Sequence, residues 1–418
     1  MARDPGAPAL VPLGARVLRP AAPDLQSAGL DHRRGGPPAL DRLRPAAHRR
    51  CPVGVRQWWG SSRFIDHVHT YLYPAVRPVP VPAGPEDQER ARGPEHQQWR
   101  DGGTMSLDLN TIWFFLVGVL LAGYAVLDGF DLGIGALHLL VKGDRNRRIM
   151  INAIGPVWDG NEVWLVTGGG ALFAAFPEVY ATVFSGFYLP FMLLLFALIF
   201  RAVAIEFRSK QPMAWWRRTW DISFSVASIV SSLLIGIALG NIAWGVALDA
   251  DHEMLTGFFG LLHPYPLAVG ITTLALFMMH GAMYGILKTE GELQEILKGW
   301  VNNTIIFFVI CYVTITMATL IFVPHFLEHI RNAPWLFIIA ILNMLAIANI
   351  PRELHHGRVW RAFLSSAATV VALLALFGIG MYPDLVFSTP VVENSLNIYN
   401  AASSQKTLGI MLIIALIG

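Results

Sequence analysis

The sequence is poor in cysteine and in charge, and both shortages exclude functions. Only two of its 418 residues are cysteines, Cys51 and Cys311, and they stand far apart. Neither a disulfide framework nor a cysteine-held metal cluster is therefore encoded. Charged residues make up only 14% of the chain, too little to clothe the two or three soluble domains a chain this long would otherwise form. Histidine is scarce where it would matter for redox chemistry. After Met105, His252, His263, His325, His329, His355 and His356 fall at the ends of apolar runs or between them, and only His138 and His280 lie inside. A core that holds haem and copper on several membrane-embedded imidazoles is excluded on that count, and a lone buried histidine is expected to hydrogen-bond rather than to ligate a metal. No phosphate-binding glycine loop is present, and no nucleic-acid partner is expected.

Residues 1–104 have a different composition from the rest. They hold fifteen of the 26 prolines and fifteen arginines, with no lysine. No apolar periodicity in them is long enough for a helix, and no apolar stretch follows a basic start as in a signal peptide. This Pro/Arg-rich stretch is expected to be disordered and to lie upstream of the working protein, which would begin at Met105 and occupy residues 105–418.

From Thr111 onward, apolar runs of the length that spans a bilayer, about 20 residues, recur to the end. The chain is 54% hydrophobic, with a mean hydropathy of +0.49. The expected fold class is all-α, a polytopic transmembrane helical bundle with eight full spans and a truncated ninth. Pro, Gly and charge punctuation puts the spans near 110–141, 154–175, 178–204, 219–247, 263–287, 300–324, 333–350, 360–382 and 406–418. The basic residues alternate between loops. Segments 142–148, 201–218, 288–298 and 352–361 carry fourteen Lys and Arg, whereas the loops between them hold only Arg331 and Lys406. The positive-inside rule makes the basic set cytoplasmic.

Four carboxylates break the apolar pattern of the first two spans: Asp128 and Asp131, then Asp159 and Glu162. Each pair is spaced i, i+3 and so shares a helix face. A short loop makes the two spans antiparallel neighbours, which brings both pairs to similar depth in the cytoplasmic half. An ionised carboxylate in hydrocarbon is costly, so these groups must be protonated, hydrated or paired. One reading is a proton pathway from the cytoplasm, with Arg201 at the end of the third span as a counter-charge. The other is structural: Asp159 and Glu162 complement the helix dipole, and the aspartates bond to neighbouring helices. Gly129 and Gly133 form a small-xxx-small pair suited to close packing, and Gly168, Gly169 and Gly170 are expected to interrupt the second span. Tryptophans fall mostly near span ends, as an interfacial belt would. Trp158 and Trp164 bracket the acids and are the two suited to the interior.

The stretches LVGVLLAGYAVLDGFDLGIGAL, RRIMINAIGPVWDGNEVWLVTGGGALFAAFPEVYATVFSGFYLP, RAVAIEFRSK and NSLNIYNAASSQKTL together resemble subunit II of the cytochrome bd-type quinol oxidases. The wording WDGNEVWLVTGGGALFAAFPEVYA is most similar to the cyanide-insensitive branch. The resemblance runs from about Met105 to the end, and residues 1–104 match nothing in it. It implies an integral subunit, in the bacterial cytoplasmic (inner) membrane, of an enzyme that reduces O2 to water with quinol electrons. By the same resemblance the haems, two of b type and one of d type or b in its place, belong to partner subunit I. This chain would bind none of them directly, and a quinone is left open as a ligand. The implied partners are subunit I, in a heterodimer, together with a small single-helix subunit and membrane lipid. Family members carry acids at the positions of Asp128, Asp131 and Asp159, implicated in structure or proton supply, whereas glutamine can replace Glu162 in the other branch. Asp128 and Asp159 are the expected proton-carrying steps, with Asp131 and Glu162 orienting or sharing the proton. Trp164 is the candidate to border an apolar oxygen channel. Two other classes compete: a proton-coupled secondary transporter with a broken-helix site at Gly168–Gly170, and a purely structural assembly subunit.

Overall fold

The computed structural model describes residues 108–327, 331 and 334–417. Residues 1–104, Met105, Cys51 and His329 lie outside the described residues. Eleven helices and one short antiparallel strand pair are found among them. In chain order they are α1 (Leu109–His138), α2 (Asp144–Ile154), α3 (Trp158–Ala175), α4 (Pro177–Gly186), α5 (Tyr188–Phe207), α6 (Ala214–Trp244), α7 (Pro264–Lys288), α8 (Gly291–Phe322), α9 (Phe337–His355), α10 (Val359–Met381), β1 (Asp384–Val386), β2 (Leu396–Asn397) and α11 (Gln405–Ile417).

Helix α1 is the hub. It opens at Asp108, whose side chain accepts the Thr111 N–H at 2.8 Å, as an N-cap should. It then packs against α3, α6, α7 and α10, and α7 in turn packs on α6, α8 and α10. Glycine makes this crowding possible. Gly133 of α1 and Gly281 of α7 face each other so closely that a Cβ on either would overlap the partner backbone. Gly129 sits under the Phe277 ring, and Gly135 under Ser228 of α6. In lipid, where hydrophobic burial gives helices little reason to associate, such backbone approach supplies the dispersion attraction. The small-xxx-small pair therefore has the packing role its spacing suggests.

The expected spans need correction in three places. The span expected from 154 starts late: Asp144–Ile154, in the stretch read as a loop before it, is a separate short helix that turns its apolar side, Met150, Ile151 and Ile154, into the core, and α3 begins only at Trp158. The run 178–204 divides, at Phe187, into α4 and α5. Pro177 separates α3 from α4, because proline disfavours helical backbone in the residue before it and Phe176 adopts φ −132, ψ 69. The glycines at 168–170 do not interrupt α3, which runs through them unbroken. Gly168 lies at ordinary packing distance from Leu121, while a Cβ on Gly169 or Gly170 would meet open space. Among the described residues, seven helices are long and apolar enough to cross a membrane: α1, α5, α6, α7, α8, α10 and Pro334–His355, which includes α9. The sequence reading has eight. The difference is α3, where two carboxylates, an asparagine and three glycines dilute the apolar run.

Two of the basic segments, 142–148 and 201–218, meet at one end of the bundle. Arg208 and Arg217 donate to Asp144 at 2.8 and 2.9 Å, and Arg147 donates to Asp221 at 3.4 Å. A second core closes the opposite end, where Trp113, Phe176, Val246, Tyr382, Leu396 and Leu408 are buried together. There the Trp113 indole donates to the Leu408 carbonyl at 3.0 Å.

The close glycine crossings give a direct test. Gly281→Leu should lower the thermal midpoint of the purified protein and its yield in membranes, because overpacking typically costs about 1–3 kcal/mol and backbone has nowhere to move. Gly170→Ala, which meets only open space, should leave both unchanged or slightly improved.

Candidate functional site

Three of the four carboxylates, Asp128, Asp131 and Glu162, gather where α1, α3 and α5 meet. Asp128 of α1 and Arg201 of α5 are both fully buried. The guanidinium clasps the carboxylate with two hydrogen bonds, Nη2 to Oδ1 at 2.5 Å and Nη1 to Oδ2 at 3.0 Å. The same Nη2 donates to Glu162 Oε1 of α3 at 2.5 Å. Fork geometry of this kind suits arginine and carboxylate, and it puts the expected counter-charge between two of the acids. Asp131, one turn along α1, is equally buried but is not part of the ion pair. Its Oδ2 accepts the Asn161 amide at 2.8 Å, and its Oδ1 has no partner. The amide nitrogen of Asn161 also donates to the Leu127 carbonyl at 3.1 Å, so this residue pins α3 to α1 beside the acids.

The remaining two candidates lie at the margin. Asp159 is exposed in the first turn of α3, where the helix dipole favours a negative charge. Glu162, one turn further, is part-exposed at 25% of its side chain. The acids thus grade from solvent to full burial along one path: Asp159, Glu162, then Asp128 and Asp131. Trp164 lies with its indole over Gly123 of α1, half-buried, and fills the space that a side chain at 123 would need. It packs α3 onto α1 immediately outward of the acids.

Both histidines inside spans are engaged. His280 of α7 bonds at both nitrogens, Nδ1 to Ser366 at 2.8 Å and Nε2 to the Val126 carbonyl at 2.9 Å, and it stacks on Phe363. Neither nitrogen is offered to a metal, and the residues around it do not fit a haem iron. His138 gives its Nε2 to Asp221 of α6 at 2.7 Å. Asp221 also accepts from Arg208, by Nε at 2.5 Å and Nη2 at 3.2 Å. Burial by itself would lower the pKa of Arg208, but the hydrogen bond and charge of Asp221, joined by Asp144, raise it above the ordinary arginine value. Two residues here escape the sequence reading. Asn161 stands between the two acids of the WDGNE motif, and a uniform rule that every polar side chain near a buried acid is a partner would find it. Asp221 lies inside an apolar run just as Asp128 does, so the same test flags it.

These helices lie within the part of the chain that is similar to known proteins. The family model described as "Cytochrome bd terminal oxidase subunit II" matches residues 109–418. The chain is 36% identical over 341 residues to the cytochrome bd-I ubiquinol oxidase subunit 2 of Escherichia coli, covering 74% of this chain and 90% of that one. To the cytochrome bd ubiquinol oxidase subunit 2 of Bacillus subtilis it is 34% identical over 312 residues, with the same coverage. Among solved structures, the bd oxidase from Geobacillus thermodenitrificans superposes with a TM-score of 0.61 at 17% identity, over 74% of this chain and 94% of that chain.

Removing one member of a buried ion pair leaves the other uncompensated, a loss of about 3–5 kcal/mol. Arg201→Met should therefore strip assembled protein from the membrane and sharply lower its thermal midpoint. The double variant Arg201→Met/Asp128→Leu should recover much of both, measured on the same preparations, because the lone charge is gone.

Proposed function

The chain belongs to the cytochrome bd terminal oxidase subunit II family, and from that premise we propose that it is the membrane subunit of a quinol oxidase through which protons are supplied to oxygen reduction. It acts in complex with subunit I, in the bacterial inner membrane, with a small single-helix subunit as a further partner. The complexes of this family contain haem, which supplies the electron transfer and oxygen chemistry. Because His280 is bonded at both nitrogens and His138 is held through Nε2 by Asp221 at the basic end, we assign the haems to subunit I.

One observation carries the proton role: Asp131 is fully buried beside the Asp128–Arg201–Glu162 cluster with one carboxyl oxygen unpartnered. Three acids face a single guanidinium there, so the cluster is short of positive charge, and exchangeable protons supply the balance. Asp159 is the entrance, exposed in the dipole field of α3. Glu162 passes the proton inward from the rim. Asp128, clasped at both oxygens, is the fixed negative charge that holds Arg201 in place, and Asp131 is the group free to take and release a proton. Asn161 keeps Asp131 oriented while leaving Oδ1 available. Reduction of O2 in a site shielded from water requires such titratable steps through the apolar layer. Trp164 seals this path on its outward side, and any passage for oxygen runs along its lipid-facing edge. The unbroken α3 speaks against a transporter, whose substrate sites are built on interrupted helices.

In the complex purified through this subunit, Asp131→Asn should retain the partner and the full haem spectrum, because Asn161 can still donate to the new amide oxygen. Quinol-driven oxygen consumption should fall by about tenfold or more. Wild-type turnover in that variant would overturn the proton role of Asp131, and loss of the haem spectrum with retained fold would favour a purely structural subunit.

A further inference from the structure

Two polar stripes face each other inside the bundle, away from the entrance at Asp159. On α1, Tyr124, Asp128, Asp131, Gly135 and His138 recur at alternating spacings of four and three, which keeps them on one helix face. On α6, Asp221, Ser225, Ser228 and Ser232 follow the same rule. The stripes meet at two levels. His138 bonds Asp221 at 2.7 Å, with its ring set edge-on to Phe224 at 5.2 Å. One turn along α1, the Ser228 hydroxyl sits where a Cβ on Gly135 would be. Only glycine at 135 admits it.

Every polar group along this seam is buried: Asp131, His138, Ser228 and Ser232 completely, Ser225 and Asp221 to within 1% and 2%. Yet His138 Nδ1, Ser225 Oγ and Asp131 Oδ1 have no protein partner. A buried polar atom left without a hydrogen bond is costly, and three along one seam call for internal water, which bonds to such groups. The rise along α1 from His138 to Asp131 is about 10 Å, with the Ser228 hydroxyl near its middle, where it donates to the Phe224 carbonyl at 2.7 Å and keeps its lone pairs for water, so about one water on each side would connect the three groups.

The chemistry of His138 fits this position. Asp221 already accepts from Arg208 and Arg147, so it is the carboxylate acceptor and the imidazole Nε2 carries the hydrogen. In the neutral ring Nδ1 is then a bare lone pair inside the seam. An excess proton on seam water that passes to Nδ1 gives an imidazolium held by Asp221, and its return from Nδ1 to seam water restores the same neutral ring, so His138 stores a proton at this end of the seam without any flip.

We propose that the α1/α6 seam is a second, water-filled proton input, running from the basic face past His138 and Ser228 to Asp131. It rests on the reading that Asp131 exchanges protons, and it gives that residue a supply independent of Asp159 and Glu162. The test uses the assembled oxidase with Ser228→Ala and His138→Phe. The first removes only a hydroxyl, and the second keeps a ring against Phe224. Each should lower quinol-driven oxygen consumption several-fold and raise the ratio of rates in H2O and D2O, with unchanged haem spectrum and unchanged KM for quinol. A merely structural role would reduce the amount of complex and leave the isotope ratio alone. If His138→Phe fails to assemble, Ser228→Ala decides. Wild-type rates and isotope ratios in the seam variants, with Asp131→Asn impaired, would overturn the seam and leave the proton role of Asp131 standing. If Asp131→Asn is unimpaired as well, both readings fall. A structure of the complex that resolves internal water and finds the seam dry would equally overturn it.

Discussion

A single guanidinium holds the inner face of this subunit together. Arg201 reaches from α5 to Asp128 on α1 and Glu162 on α3, whereas the extensive packing of α5 is on its chain neighbour α6. Without that reach, α5 would have little to tie it to the hub helix. The charge is expensive to bury and is tolerated because both terminal nitrogens donate to carboxylates at close range, with only Nε left without a partner. Placing it there also fixes the electrostatics of everything nearby: Asp131 gains a neighbouring positive charge without being locked in a pair with it.

Helix α1 serves two incompatible neighbours by dividing its circumference. One side, Gly129 and Gly133, is stripped of side chains so that α7 can lie against its backbone. Another carries the acids and His138 toward α3, α5 and α6. The glycines are what allow the second side to be polar, since unusually close backbone on the first supplies the dispersion attraction that carboxylates do not offer. The motif DGFDLGIG is thus read as two interleaved patterns, one of charge and one of absence of bulk.

Much of this was legible in the residues. Apolar runs and basic loops placed α1, α6, α7 and α10 within a few residues, because long buried helices announce themselves by composition alone. The i, i+3 spacing brought the acids to shared faces, and Arg201 was recognisable as their counter-charge. Two things were hidden. The division at Phe187 occurs inside an apolar run, where hydropathy is blind to backbone, whereas the break at Phe176–Pro177 falls between two expected spans, where the proline placed it. The persistence of α3 through three glycines is likewise set by its packing on α1 rather than by propensity. Among site residues, Asn161 and Asp221 could not be ranked from spacing, since their importance comes from partners on other helices, α1 for one and Arg208 with His138 for the other.

The crossing of Gly133 and Gly281 has a mechanical consequence. Two backbones touching, with no side chain between them, leave no compliant layer to absorb sliding or rotation. Helix α1 is therefore a fixed rail against α7, and the aspartates it carries keep constant depth through the catalytic cycle. Whatever changes during turnover must be light: rotamers, hydrogen positions and water, moving past a scaffold that does not.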